Sequence, residues 1–219
     1  MHAPRSWIIA AALAAPLVFT LGCDDDDDDG NGGPSGTTVL VTSEFDNQTG
    51  VVNVSDDGSE VSGATVTLNG TAATAGVAGV YNVALPAPLN PGDDLDLSVI
   101  FDDATVDGLG DLPEPGVITA PTDASAFTTT QEIPVTWTAT ADAARWVVEA
   151  EGATIESFDV AGGATRAFNI PAGELGEGAW TIRVIAVNDG TFTGDTEAGS
   201  LMTIQNVSVT NPGITITTP

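Results

Sequence analysis

Cys23 is the only cysteine in 219 residues, so the chain has one thiol nucleophile and no partner for an internal disulfide. What surrounds it suggests how that thiol is used. Met1 to Ser6 carries His2 and Arg5, Trp7 to Leu21 is fifteen residues without a charge, and Gly22 then precedes Cys23. An uncharged run of this length after a cationic start has the dimensions of a secretory signal peptide, whereas a membrane-spanning helix needs about 20 apolar residues. Pro16 within the run also disfavours a long helix. After Cys23 come six consecutive aspartates, Asp24 to Asp29. The remaining groups that could do chemistry are carboxylates.

Thr20-Leu21-Gly22-Cys23 resembles the lipobox of bacterial lipoprotein signal peptides, with Thr20 and Leu21 departing from the usual residues at their positions. The resemblance implies that residues 1–22 are removed and that Cys23 is lipidated, its thiolate taking a diacylglyceryl group whose acyl chains, such as palmitate, form the anchor. Each buried CH₂ contributes about 0.8 kcal/mol, so several chains hold a protein on a membrane. The alternatives are an ordinary secretory signal with an incidental cysteine, and an uncleaved anchor. Residues 23–36 then form an acidic, glycine-rich tether with no apolar side chain to bury, expected to be disordered and extended to about 40 Å. Asp24 resembles the residue that retains lipoproteins in the inner membrane of enteric bacteria, a rule that is not general. The expected location is the cell envelope, at the outer membrane or cell surface rather than the inner membrane.

The composition excludes several functions. There are 31 Asp plus Glu against 4 Lys plus Arg, a formal net charge of −27. Once the leader is gone, Arg145, Arg166 and Arg183 are the only cations, and no Lys or His remains. Nucleic acid is excluded as a partner, because phosphates require a positive surface. Without His or Lys there is no Ser-His-Asp site, no Schiff base and no His-ligated metal. Carboxylate pairs of the glycosidase kind survive as chemistry, but no motif contains them. Acidity spread along the whole chain suits a protein kept hydrated at high salt, or one supplying oxygen ligands to calcium.

Residues 37–116 alternate with period 2. Ala64, Val66 and Leu68 share one face and stop at Asn69-Gly70, a hairpin signal; Tyr81, Val83 and Leu85 form a second set. Leu95, Leu97, Val99 and Phe101 form the clearest set, with Asp94, Asp96 and Ser98 opposite. Turns every 8 to 12 residues and the lack of any helical period predict an antiparallel β-sandwich. Gly63-Ala64-Thr65-Val66-Thr67-Leu68 followed by Gly79-Val80-Tyr81-Asn82-Val83 resembles a carboxypeptidase-regulatory-like domain of transthyretin-like topology, a likeness that implies an accessory module. The strongest strand is bracketed by acids, which makes Asp94, Asp96, Asp102 and Asp103 candidate calcium ligands if its two ends meet neighbouring loops. Solvated loop ends are the plainer reading, and no EF-hand spacing is present.

Leu112 to Gly116 reads as a Pro/Gly linker, and residues 117–219 as a second sandwich. Ile133, Val135, Trp137 and Ala139 share a face, as do Trp180, Ile182, Val184 and Ala186. Trp137, Trp146-Val147-Val148 and Leu175-Gly176-Glu177-Gly178-Ala179-Trp180 resemble a fibronectin type III or related immunoglobulin-like module. In that family the corner residue is Tyr; Trp180 replaces it, so an indole N–H has to make the bond to the backbone. The three tryptophans invite a carbohydrate-stacking reading, but their alternation places them in the core. Arg145 and Arg183 are expected on the outer face, paired with Glu149 or Glu151. Asn206 to Pro219 reads either as a final strand with an extension or as part of one.

The fold class expected is therefore all-β: two tandem antiparallel, immunoglobulin-like β-sandwiches, 37–116 and 117–219, behind a signal peptide and a tether. The function expected is a lipid-anchored, non-enzymatic structural, adhesion or binding module, with no cofactor beyond the acyl chain on Cys23. Its partners are the membrane and a protein or polysaccharide. A calcium-dependent binding module is the alternative, and a carboxylate-dependent hydrolase a more distant one.

Overall fold

The computed structural model describes residues 37–219, so Cys23, the leader and the acidic tether lie outside the described residues. Every regular element in that span is a strand. In chain order they are β1 (Leu40–Phe45), β2 (Thr49–Asp56), β3 (Ser59–Glu60), β4 (Thr65–Leu68), β5 (Thr71–Ala72), β6 (Thr74–Ala75), β7 (Val80–Ala84), β8 (Asp94–Phe101) and β9 (Ala104–Asp111). There follow β10 (Val117–Ala120), β11 (Ser125–Thr128), β12 (Ile133–Thr138), β13 (Ala143–Glu151), β14 (Ile155–Gly163), β15 (Ala167–Ile170), β16 (Gly178–Asp189), β17 (Thr191–Gly194), β18 (Leu201–Val207) and β19 (Gly213–Thr217).

Alternation decides these strands. In β8, Leu95, Leu97 and Val99 are fully buried while Asp94 and Asp96 face water. In β12 and β16, Ile133, Val135, Trp137, Trp180, Ile182, Val184 and Ala186 all point inward. Burying each large apolar side chain contributes about 1.5–3 kcal/mol. The Asn69-Gly70 hairpin forms between β4 and β5, with both residues left-handed at φ 47° and 72°. Asn69 adds a clasp: its Oδ1 accepts from the Asp96 backbone N–H at 2.7 Å and its amide donates to the Asp94 carbonyl at 3.0 Å.

Two cores are enclosed by three sheets. A long sheet runs β11-β19-β16-β18-β1-β2-β7-β6, with β13 and β14 added beside β16 and β3 beside β2. A five-stranded sheet, β17-β9-β8-β4-β5, covers β1, β2, β7 and β18 to enclose the first core, where Phe45, Tyr81, Leu97 and Val99 meet. A three-stranded sheet, β10-β12-β15, covers β13, β16 and β19 to enclose the second core around Trp137, Trp146 and Trp180. The molecule is an all-β protein of two β-sandwiches joined through one long sheet.

Two features differ from a chain of separate antiparallel sandwiches. The first is that β1 pairs with β18, and β11 with β19, in parallel. The second is that the chain returns to the first sandwich after residue 190: β17 pairs with β9, and Met202 and Ile204 of β18 are fully buried in the first core. The reason lies in β9, whose inward positions 108 and 110 are glycines. A Cβ at Gly110 would collide with the Ile204 side chain, and one at Gly108 with the Phe192 ring. The first sandwich thus leaves space that residues 192, 202 and 204 fill.

Candidate functional site

The candidate ligands bracketing β8 are not brought together. Asp94 and Asp96 stand at its start, on the outer face, and Asp102 and Asp103 lie in the turn after its end. Five residues of strand lie between Asp96 and Asp102, so six steps separate them, roughly 20 Å at the usual rise. Asp94 instead faces Asp111 across the ladder. Asp103 is held below the ordinary carboxylate range by hydrogen bonds from the Thr37 side chain and its own backbone.

A different set of acids does converge. Asp56 and Asp57, at the β2–β3 turn, meet Glu197, in the loop before β18, with one carboxylate oxygen from each within 4.8 Å of the others. The turn is positioned by Asp57 and Gly58, both left-handed at φ 46° and 73°, which reverses the chain in two residues. The loop is positioned by backbone bonds to the entry of β1: Val39 donates to the Asp195 carbonyl at 3.0 Å, and Glu197 donates to the Val39 carbonyl at 3.0 Å. The Asp57 N–H donates to Glu197 Oε1 at 3.3 Å, tying the two segments directly.

Oxygen ligands bind calcium at 2.3–2.6 Å, so two oxygens on one ion stand at most about 5 Å apart, and this spread fits. Three carboxylates supply only part of the six to eight oxygens calcium takes, leaving the rest to water and backbone. The sequence shows Asp56-Asp57-Gly58 as a turn, but Glu197 is 140 positions further on and carries no local sign of its neighbours. Only the parallel docking of β18 beside β1 brings it there.

Acid–base chemistry of the glycosidase kind needs a cavity with two carboxyls on its walls. A cavity of about 100 Å³ lies among Leu40, Thr42, Asn53, Ser55, Glu60 and Val80, with a single carboxylate on its wall. A groove of about 470 Å³ runs between Ile118, Thr119, Asp123, Thr210, Asn211 and Pro212, where the Asp123 carboxylate accepts from the Gly213 N–H at 2.9 Å. Neither places two carboxyls across a shared space, as glycoside hydrolysis requires.

The tryptophans and arginines have structural places. Trp137 and Trp146 pack with ring centroids 5.6 Å apart inside the second core. The Arg166 guanidinium covers Trp146 at 4.7 Å while donating to the Ala141 and Thr165 carbonyls and pairing with Asp142 at 2.9 Å. Arg183 bridges Glu149, at 3.1 Å, and Glu151. Arg145 takes Asp159 at 3.3 Å rather than either glutamate: the β13–β14 register sets Asp159 opposite Val147, which makes it the diagonal neighbour of Arg145 on the same face.

No protein-family model and no curated protein matches the chain. Among solved structures it is similar to the fibronectin(III)-like modules of Clostridium thermocellum CbhA, with 14% identity, 84% of this chain and 94% of that one covered, and a TM-score of 0.31. It is also similar to SGBP-B of the Bacteroides ovatus mixed-linkage glucan utilization locus, solved with a mixed-linkage heptasaccharide, with 14% identity, 80% and 43% covered, and a TM-score of 0.23.

Proposed function

We infer that this chain is a lipid-anchored cell-envelope protein, acylated at Cys23, whose β-sandwiches are displayed as a non-enzymatic structural, adhesion or binding module. The observation that carries this reading is that residues 37–219 contain no His, Lys or Cys, so the displayed part has no imidazole, amine or thiol side chain to act as base or nucleophile. Both cores are filled by large apolar side chains, which suits a scaffold that presents its outer surface. The partner is a protein or polysaccharide at the outer membrane or cell surface. The test is the mass of the mature N-terminus together with membrane fractionation. Acylated Cys23 adds a lipid mass and sediments with membranes, and Cys23→Ala releases the protein. A soluble wild-type product with an unmodified thiol overturns the anchor.

A second reading is favoured by one specific observation, the convergence of Asp56, Asp57 and Glu197. In it the module binds calcium, which joins the β2–β3 turn to the loop before β18. Calcium titration at constant ionic strength tests it.

A further inference from the structure

The first strand is held on both sides, and its two ladders run in opposite senses. β1 is antiparallel to β2 and parallel to β18, with Thr42, Ser43, Glu44 and Phe45 opposite Leu201, Met202, Thr203 and Ile204. The parallel seam begins earlier still. A bridge joins Val39 to Thr196, and Val41 donates its N–H to Ser200 Oγ at 3.1 Å. At the other end of the sequence, β19 is likewise held on both sides, parallel to β11 and antiparallel to β16.

These pairings fix directions. β16 runs against both β18 and β19, its last five residues paired with β18 and its first four with β19. Hence β18 and β19 follow one another along β16, and β1, β18, β19 and β11 all point the same way. The chain enters this array at its trailing end through Val39 and leaves it at the leading end through Thr217. Tension between the two ends therefore draws β1 backwards and β19 forwards, along the strand axes and across the ladder hydrogen bonds. Loaded in that direction, the bonds of a ladder share the force and must break together. Pulled open sideways, they break in turn.

We propose that β1 is a shear clamp, and that the module carries tension between the Cys23 side of the chain and its far end; this rests on the anchored reading above. Side chains resist slippage as well. Val41, Ser43 and Phe45 face the first core, so a slip of one residue turns all three outward. A slip of two carries the Phe45 ring off Gly50, the residue opposite it, whose missing side chain makes room for that ring.

Force spectroscopy on residues 23–219, produced without the leader so that Cys23 is not acylated, tests the clamp by comparing two pulling geometries. The Cys23 thiol, the only native one, serves as one handle in both. The second handle is Pro219→Cys in one case and Ser59→Cys in the other. Residue 59 lies beside the end of β2, next to the start of β1, so the second geometry peels the strand sideways. The first rupture force is expected to be several-fold higher between 23 and 219 than between 23 and 59. Equal forces, or a weaker end-to-end rupture, overturn the clamp. Folding of both variants is checked by tryptophan fluorescence before pulling. Membrane fractionation decides the anchor and the force ratio decides the clamp, so either reading can fail without the other.

Discussion

Trp180 donates its indole N–H to the Gly176 carbonyl at 2.9 Å, closing the corner that leads into β16. The ring itself is almost fully buried in the second core, so one side chain fills space and ties down the turn four residues before it. Trp180→Phe keeps most of the buried area and removes the donor. It should lower stability by about 1 kcal/mol, the usual net worth of such a bond, read as a shift in the urea midpoint at unchanged slope. Trp180→Ala should cost about 3–5 kcal/mol.

Ile204→Ala opens a cavity in the first core and should cost about 2–5 kcal/mol. Its more telling consequence concerns the second core. After leader removal the tryptophans are Trp137, Trp146 and Trp180, all in the second sandwich. Because the long sheet is common to both cores, tryptophan fluorescence should report the same lowered midpoint as far-UV circular dichroism. A fluorescence transition left where it was would mean that the sandwiches unfold separately.

Glu114 gives an acid-dependent contribution. Its carboxylate accepts from the Thr140 hydroxyl, from the Ala141 N–H at 2.8 Å and from the Thr140 N–H at 3.0 Å, with Arg166 nearby. The Thr140 hydroxyl is the main cause holding it below its ordinary value of 4.5. A depressed carboxyl stabilises the fold fully above pH 4.5, and that contribution is lost as pH falls through the lower folded value. Glu114→Gln should therefore lower Tm at pH 7 slightly and weaken its fall on acidification. Identical acid limbs for the two proteins would remove this role.

If calcium binds at Asp56, Asp57 and Glu197, the melting temperature rises with calcium concentration at fixed ionic strength, and Glu197→Gln abolishes the rise. The same titration on Asp94→Asn should match wild type, because Asp94 stands apart from the cluster. A melting temperature that ignores calcium in wild type ends the second reading.

Much of the fold was legible in the residues. Leu95, Leu97 and Val99 alternate without interruption, Asn69-Gly70 has the chemistry its turn demands, and the place of Trp180 foretold an indole bond to backbone. These signals are local: each needs only a few neighbours in sequence. What was not legible is long-range. Nothing near Glu197 points to Asp56, and no propensity tells β18 that it will lie parallel to β1. One trace did exist: Gly108 and Gly110, both on the inward face of a strand whose core would otherwise be incomplete. Alternating glycines where large side chains belong mark a space to be filled from elsewhere, and the filling came from residues 192 to 204.

That filling has a consequence for how such a module can change over time. A chain ending at residue 116 keeps the pockets beside Gly108 and Gly110 but loses Met202 and Ile204, while the remainder keeps those two side chains with nowhere apolar to put them. Recombination at the proline-rich junction would leave two incomplete halves, so this pair should be duplicated, transferred or lost only as a whole.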